Sequence, residues 1–151
     1  MCIFAYEVMP NHWHLILSPR KDGDLGLFMH HLTNKHTRQV HTSTGTVGSG
    51  HLYQGRYKSF PVQTDEYFLT VARYIERNPL RAKLVQDAKD YPHSSYNYYA
   101  YGKNDPLVDE DPYYVELGQD GQERQEKYRE FVKLDGPYDR VIDQSLTEAY
   151  F

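Results

Sequence analysis

The first eighteen residues contain two short runs of strand-forming side chains on either side of a turn signal. Residues 2–9 are rich in apolar and aromatic side chains, and a second apolar run covers residues 12–18. Pro10 and Asn11 lie between the two runs, and these residue types favour tight turns. The pattern predicts a β-hairpin, so the chain is expected to contain a small antiparallel sheet.

Helical periodicity follows the hairpin. Apolar residues recur with the spacing of one helix face, which predicts an amphipathic helix over residues 25–40. The residues on that face are Leu25, Phe28, Met29 and Leu32. A stretch rich in Ser, Thr and Gly at residues 42–50 predicts a loop. Residues 53–63 alternate well enough to predict a third strand.

A second helix is predicted to begin at Thr64, because a hydroxyl residue followed by two acids is typical of a helix N-terminus. Its apolar stripe consists of Phe68, Val71, Ala72 and Ile75. Pro79 interrupts this helix after about Asn78, and shorter helices are expected at residues 80–85 and 123–134. The order strand, strand, helix, strand, helix predicts an α+β fold with helices on one face of the sheet.

Length and composition exclude several classes of protein. With 151 residues the chain is expected to form one compact unit, and no run approaches the 18 apolar residues of a membrane helix. A single cysteine, Cys2, excludes an internal disulfide framework and a thiolate zinc site. We therefore expect a soluble, cytoplasmic protein without a membrane partner.

The charge is unevenly divided along the chain. Residues 1–103 carry 12 Lys and Arg against 8 Asp and Glu, whereas residues 104–151 carry 5 against 13. We accordingly expect a catalytic or binding body at residues 1–103 and an acidic C-terminal tail with a short helix at residues 104–151. A mildly basic body permits nucleic-acid binding. Ordinary scatter of surface charge explains the division equally well.

The second predicted strand begins with His12, Trp13 and His14. Residues two apart in a strand point to the same face, so the two imidazoles project side by side and Trp13 packs behind the sheet. A pair of neutral imidazoles supplies half of a divalent metal site. Packing or surface placement accounts for the same spacing, so the pair alone does not establish a metal.

Tyr74 lies at the edge of the apolar stripe of the second predicted helix, and Asn78 follows one turn later. At such a boundary a tyrosine is ordinarily a packing residue. Its phenol, with a reference pKa near 10, attacks poorly unless a cation stabilises the phenolate. A divalent ion on His12, His14 and the Asn78 amide oxygen would supply that cation, and the set then fits phosphoryl transfer by a tyrosine nucleophile.

Two ordered segments resemble single-tyrosine HUH transposases, and the REP-associated tyrosine transposases most closely. Residues 9–15, Met-Pro-Asn-His-Trp-His-Leu, are similar to the His-hydrophobic-His segment of that family. Residues 55–59 followed by residues 73–82 are similar to the stretch that carries its nucleophile, and residues 91–96 fit the REP-associated branch. Relatives begin with an additional strand and helix, so the resemblance implies a ferredoxin-like sheet that is incomplete at its N-terminus.

The resemblance implies a metal-dependent endonuclease and strand transferase acting on single-stranded DNA near hairpins. Tyr74 would attack the phosphate and form a 5′-phosphotyrosine. His12 and His14 would bind Mg²⁺ or Mn²⁺, and Asn78 would be a third ligand. The partner would be single-stranded DNA or a DNA hairpin, and both a monomer and a homodimer are compatible with the family.

Basic side chains around the second helix are candidates for DNA phosphate contacts, which supply most of the affinity for nucleic acid. They are Arg56, Lys58, Arg73, Arg77, Arg81 and Lys83. Helical spacing places Arg73 and Arg77 on the outer side of that helix. Solvated surface charge is the alternative for each of the six. The tyrosines of residues 96–101 could stack on bases, but partly buried packing is favoured for them.

Two other functions remain open at this point. The chain could be a catalytically inactive remnant that binds DNA hairpins, or a metal-dependent hydrolase of a small phosphate ester. The hydrolase would release its product without a covalent intermediate and would not need Tyr74.

Overall fold

The computed structural model describes residues 1–62, 65–134, 136 and 139–148. Its sheet is a hairpin of strands β1 (Cys2–Val8) and β2 (Trp13–Ser18), paired antiparallel with Glu7 opposite His14. The backbone N–H of Met9 donates to the carbonyl of His12 at 2.8 Å and closes the turn. The predicted hairpin is thereby confirmed.

Helices account for most of the remaining described structure. They are α1 (Asp24–Thr44), α2 (Asp65–Glu76), α3 (Asn78–Arg81), α4 (Tyr96–Tyr101), α5 (Pro112–Val115), α6 (Gly121–Lys133) and α7 (Asp139–Glu148), with one turn of 3-10 helix at Ala88–Asp90. The α+β class is confirmed, whereas the ferredoxin-like order of the sheet stays a prediction. Within the described ranges, no helix has both the length and the apolarity needed to cross a bilayer.

The third strand predicted at residues 53–63 is wrong for the part that the structure describes, since residues 53–62 form no strand. A strand needs a backbone partner, and here the apolar side chains of Phe60 and Val62 pack against the core instead. The alternation that suggested a strand therefore reflects an irregular segment with one buried side. Gln63 and the predicted helix start at Thr64 lie outside the described residues.

Three other predicted boundaries are also corrected. Helix α1 continues through the first residues of the predicted loop and ends at Thr44, and Gly45 caps it in a left-handed conformation with a φ of 68°. The short helix expected at residues 80–85 begins earlier and ends at Arg81, because Lys83 adopts a φ of 56°. The last predicted helix begins at Gly121, where Asp120 caps it by accepting from the Glu123 N–H at 2.9 Å.

The main core lies between α2 and the hairpin. All four residues of the predicted α2 stripe are buried there against Ala5 and Ile16 of the hairpin and Ile142 of α7. Fully burying such a side chain contributes about 1.5–3 kcal/mol, so this contact fixes α2 across the sheet. The hairpin and the helix that carries Tyr74 are thus joined by one apolar cluster.

A second cluster joins α4, α5 and α6 through aromatic side chains. Tyr96, Tyr99, Tyr114 and Tyr128 are buried in it. The packing interpretation of Tyr96 and Tyr99 is confirmed, and part of the acidic C-terminal region folds onto the rest of the chain. The division of the chain at residue 103 stays a prediction.

The outer edge of β1 is covered by residues 93–95. The N–H of Val8 donates to the carbonyl of His93 at 2.9 Å, and the N–H of Ser95 donates to the carbonyl of Tyr6 at 3.0 Å. These bonds satisfy backbone groups that would otherwise form an exposed strand edge. The second edge of the hairpin, along β2, borders a groove.

Candidate active site

The structure brings the two histidines of the hairpin and the tyrosine of α2 together. The rings of His12 and His14 meet edge to face with their centroids 5.0 Å apart. The ring of His14 lies 6.2 Å from that of Tyr74, again edge to face. Strand alternation and the crossing of α2 over the hairpin produce this arrangement, so the three residues are close enough to act on one phosphate.

Tyr74 is held by two charged side chains. It is 4% exposed, and its hydroxyl donates to Asp143 of α7. The guanidinium carbon of Arg81 lies 4.9 Å from the centre of the Tyr74 ring, and Arg81 donates to Asp143 at 2.8 Å. Burial, and then the hydrogen bond to Asp143, raise the pKa of Tyr74 to about 12. The phenol is therefore protonated at neutral pH in this conformation.

His14 is suited to bind a cation as a neutral ligand. Burial lowers its pKa to about 4, with smaller effects from His12 and Arg81 in the same direction. A neutral imidazole has a lone pair available for a metal, whereas an imidazolium has none.

Asn78 stands at the break between α2 and α3. Arg77 separates the two helices, although its N–H donates to the carbonyl of Arg73 and its carbonyl accepts from the Arg81 N–H, both at 3.0 Å. Asn78 begins α3 directly before Pro79. Its amide nitrogen donates to the carbonyl of Ile75 at 3.2 Å, which leaves the amide oxygen as the possible ligand atom. Among the described residues, no three His, Cys, Asp or Glu side chains are grouped closely enough to hold a metal ion. The amide oxygen of Asn78 stays the predicted third ligand to the histidine pair.

The position predicted for Arg73 on the outer side of α2 is wrong. Its side chain is 5% exposed, and its guanidinium carbon lies 4.7 Å from the centre of the Phe131 ring. The guanidinium of Arg77 donates to the carbonyls of Val132 and Lys133 at 2.7 and 2.9 Å. Helix α6 covers this face of α2, which the periodicity of α2 alone does not reveal.

The other four basic candidates lie nearer the surface. Arg56, Arg81 and Lys83 are exposed and Lys58 is half-buried, with Arg56 and Lys58 lining the groove beside β2. DNA contact by any of the six stays a prediction, although Arg73 and Arg77 are engaged by α6 in this conformation.

A buried acid lies on the same strand pair as the histidines. Glu7, opposite His14, is fully buried, and neither of its carboxylate oxygens has a well-formed hydrogen bond. Burial raises its pKa to about 9, although the nearby Ser94 hydroxyl lowers it somewhat. Glu76 on α2 is also buried, but it accepts from Ser95 and Tyr128, both at 2.7 Å. Sequence reasoning missed both acids, since their environment depends on residues distant in the chain.

Comparison with known proteins supplies the family. The family model described as Transposase IS200 like matches residues 1–78, slightly more than half of the chain. The matched segment includes both histidines, Tyr74 and Asn78. No curated protein and no solved structure matches the chain.

Proposed function

Because the chain belongs to the family of IS200-like transposases, which cleave and rejoin DNA, we propose that it is a metal-dependent endonuclease and strand transferase with Tyr74 as nucleophile. The observation that carries this proposal is the contact between the Tyr74 ring and the imidazole of His14, 6.2 Å apart between centroids. Action on single-stranded DNA or DNA hairpins in the cytoplasm, as a monomer or homodimer, and membership of the REP-associated branch are parts of the same proposal.

The residues of the site divide the reaction among them. His12, His14 and the amide oxygen of Asn78 would hold Mg²⁺ or Mn²⁺, which when bound polarises the scissile phosphate and stabilises a phenolate. The Tyr74 oxygen attacks phosphorus and loses its proton, and the bond to the 3′ oxygen breaks. The 3′ oxygen takes up a proton, which leaves a free 3′-OH and a 5′-phosphotyrosine. Attack by a 3′-OH on that linkage rejoins a strand and restores the phenol.

Asp143 restrains the Tyr74 hydroxyl through a hydrogen bond and is poorly suited to remove its proton. Burial raises the pKa of Asp143, but hydrogen bonds from Tyr74 and Arg81 outweigh burial and lower it. A carboxylate with a lowered pKa is a weak general base at neutral pH. Tyr74 must therefore leave Asp143 before it attacks, while Arg81 can stay paired with Asp143 at 2.8 Å.

The test is covalent trapping on a single-stranded DNA hairpin labelled at its 3′ end. With Mn²⁺ the wild-type protein should give a labelled adduct that survives denaturing electrophoresis, and EDTA should abolish it. Tyr74→Phe should give no adduct, because the attacking oxygen is gone. Tyr101→Phe is the matched control, because it also removes a tyrosine hydroxyl. Tyr101 is 39% exposed and is not part of the candidate site, so this variant should react normally. An adduct formed by Tyr74→Phe would refute the assignment.

The alternative is a catalytically inactive remnant that binds DNA hairpins, and the burial of Tyr74 is the observation that favours it. Such a protein would bind the hairpin with or without the metal and would form no adduct under any condition.

A further inference from the structure

A groove of about 1430 Å³ runs along the hairpin edge opposite to the one covered by residues 93–95. All residues of β2 line this groove. Successive residues of a strand point to opposite faces, so both faces of β2 border the groove at the strand's outer edge. Residues of α1 and the irregular segment 55–62 form the facing walls. The groove also reaches His12, His14 and Tyr74, which makes it continuous with the candidate active site.

The charge of the groove differs from that of the chain. The whole chain has a formal net charge of −4. The basic and imidazole side chains along the groove are His12, His14, His30, Arg56 and Lys58. Of the described residues that line it, the only acid is Asp111, which is 1% exposed and caps α5 by accepting from the Tyr113 N–H at 2.9 Å. Arg56 and Lys58 are the formal cations of this lining, and they lie nearer the surface than the buried Asp111, so the open side of the groove is complementary to an anionic occupant.

Aromatic rings accompany these basic groups. Trp13 and Tyr53 are half-buried in the groove with their ring centroids 6.1 Å apart. The Tyr53 hydroxyl is hydrogen-bonded to Nδ1 of His36 on α1 at 2.6 Å, which fixes the ring. Tyr57, between Arg56 and Lys58 in the chain, is 44% exposed. Basic groups that follow a backbone and aromatic rings that stack on bases are the two parts of a single-stranded nucleic-acid site.

We propose that Trp13, Tyr53 and Tyr57 form a subsite for an unpaired nucleobase, which positions the DNA strand beside Tyr74. This inference rests on the proposed function for its substrate. The base stacks on the aromatic rings, while the neighbouring phosphates lie along the basic side of the groove. Trp13 points to the face of β2 opposite to His12 and His14, and the groove continues around the outer edge of β2 from one face to the other, so the strand passes from the base subsite to the phosphate beside Tyr74. An extended peptide paired with the β2 edge is the competing occupant, and it would not need the basic groups.

Fluorescence of Trp13 gives a direct measurement, because it is the only tryptophan of the chain. The wild-type protein in EDTA is titrated with a short oligothymidylate and with an abasic oligonucleotide of the same length. The two probes carry the same phosphates, but only the first has bases. The oligothymidylate should change the Trp13 emission and bind about tenfold more tightly, since one stacked base contributes that much or more. Equal affinities without a change in emission would overturn the proposal.

Side-chain variants identify the rings. Tyr57→Leu should weaken oligothymidylate binding about tenfold, while Tyr57→Phe, which keeps the ring, should bind normally. Tyr101→Leu is the matched control, because Tyr101 has a similar exposure but lies outside the groove and stacks on Arg129. A loss in Tyr57→Leu no larger than that in Tyr101→Leu would count against the subsite. So would an apolar extended peptide that binds the groove and is not displaced by the oligothymidylate.

The subsite and the proposed function fail in different ways. A protein that forms the Tyr74 adduct but shows no base-dependent binding retains its function and lacks the subsite. A protein that binds bases in EDTA but never forms an adduct with Mn²⁺ has the subsite and lacks the proposed reaction.

Discussion

Replacement of Glu7 by Gln tests the energetics of the acid buried behind the histidine pair. Burial raises the pKa of Glu7 from 4.5 to about 9, and the neighbouring Glu76 acts in the same direction. At neutral pH the folded protein therefore carries a proton on Glu7 that the unfolded chain does not. Glutamine has nearly the same shape as a protonated glutamate and does not titrate, so the substitution removes this proton linkage with little change in packing.

The magnitude follows from the two pKa values. A group whose folded pKa is raised gives its full stabilisation below the unfolded value of 4.5 and loses it as the pH rises towards about 9. Between those limits folding takes up one proton at Glu7, and the free energy of unfolding falls by about 1.4 kcal/mol for each pH unit. Across about two units near neutrality, Glu7 should account for a loss of about 3 kcal/mol.

The assay is urea unfolding of the wild type and Glu7→Gln at several pH values, followed by Trp13 fluorescence and circular dichroism. The difference between their free energies of unfolding should widen in favour of Glu7→Gln as the pH rises. Glu126→Gln, which alters an exposed acid on α6, is the control and should follow the wild type. Parallel profiles for the wild type and Glu7→Gln would show that Glu7 is not protonated in the folded protein.

Two further substitutions test contacts of the C-terminal helices. Asp143→Ala should raise the initial rate of adduct formation by about tenfold or more, because it removes the hydrogen bond that restrains Tyr74. A hydrogen bond to a charged group contributes about 1.5–3 kcal/mol. A slower reaction would identify Asp143 as the general base instead. Arg77→Ala should lower the free energy of unfolding by about 1–3 kcal/mol in urea titrations, because its two bonds to carbonyls of α6 are lost. Arg38→Ala, at an exposed site on α1, should leave stability nearly unchanged, and an equal loss in both variants would contradict the anchoring role of Arg77.

The hairpin and the apolar stripe of α2 could be predicted because each depends on local periodicity. His12 and His14 share a face through strand alternation, and Tyr74 lies on the side of α2 that crosses the hairpin. Sequence alone could not show that these two elements pack together. The resemblance of the two segments to one family supplied that expectation, and the 6.2 Å contact between His14 and Tyr74 agrees with it.

The errors and omissions come from contacts between distant parts of the chain. Periodicity predicts Arg73 on an open face of α2, but α6 covers it through Phe131, which lies 58 positions later in the chain. Asp143 carries no motif, and its bond to Tyr74 spans 69 positions. The strand predicted at residues 53–62 is wrong for a related reason. Local alternation predicts a strand, but a strand forms only where its backbone has a partner to pair with.

Helix α7 covers the candidate nucleophile and is itself fixed in the core. Its side chains supply both the carboxylate on the Tyr74 hydroxyl and, one residue earlier, the apolar Ile142 in the main core. Undocking this helix would forfeit about 2 kcal/mol from each of the two contacts. In the reaction proposed above, the docking of α7 would therefore set the fraction of molecules whose Tyr74 can attack.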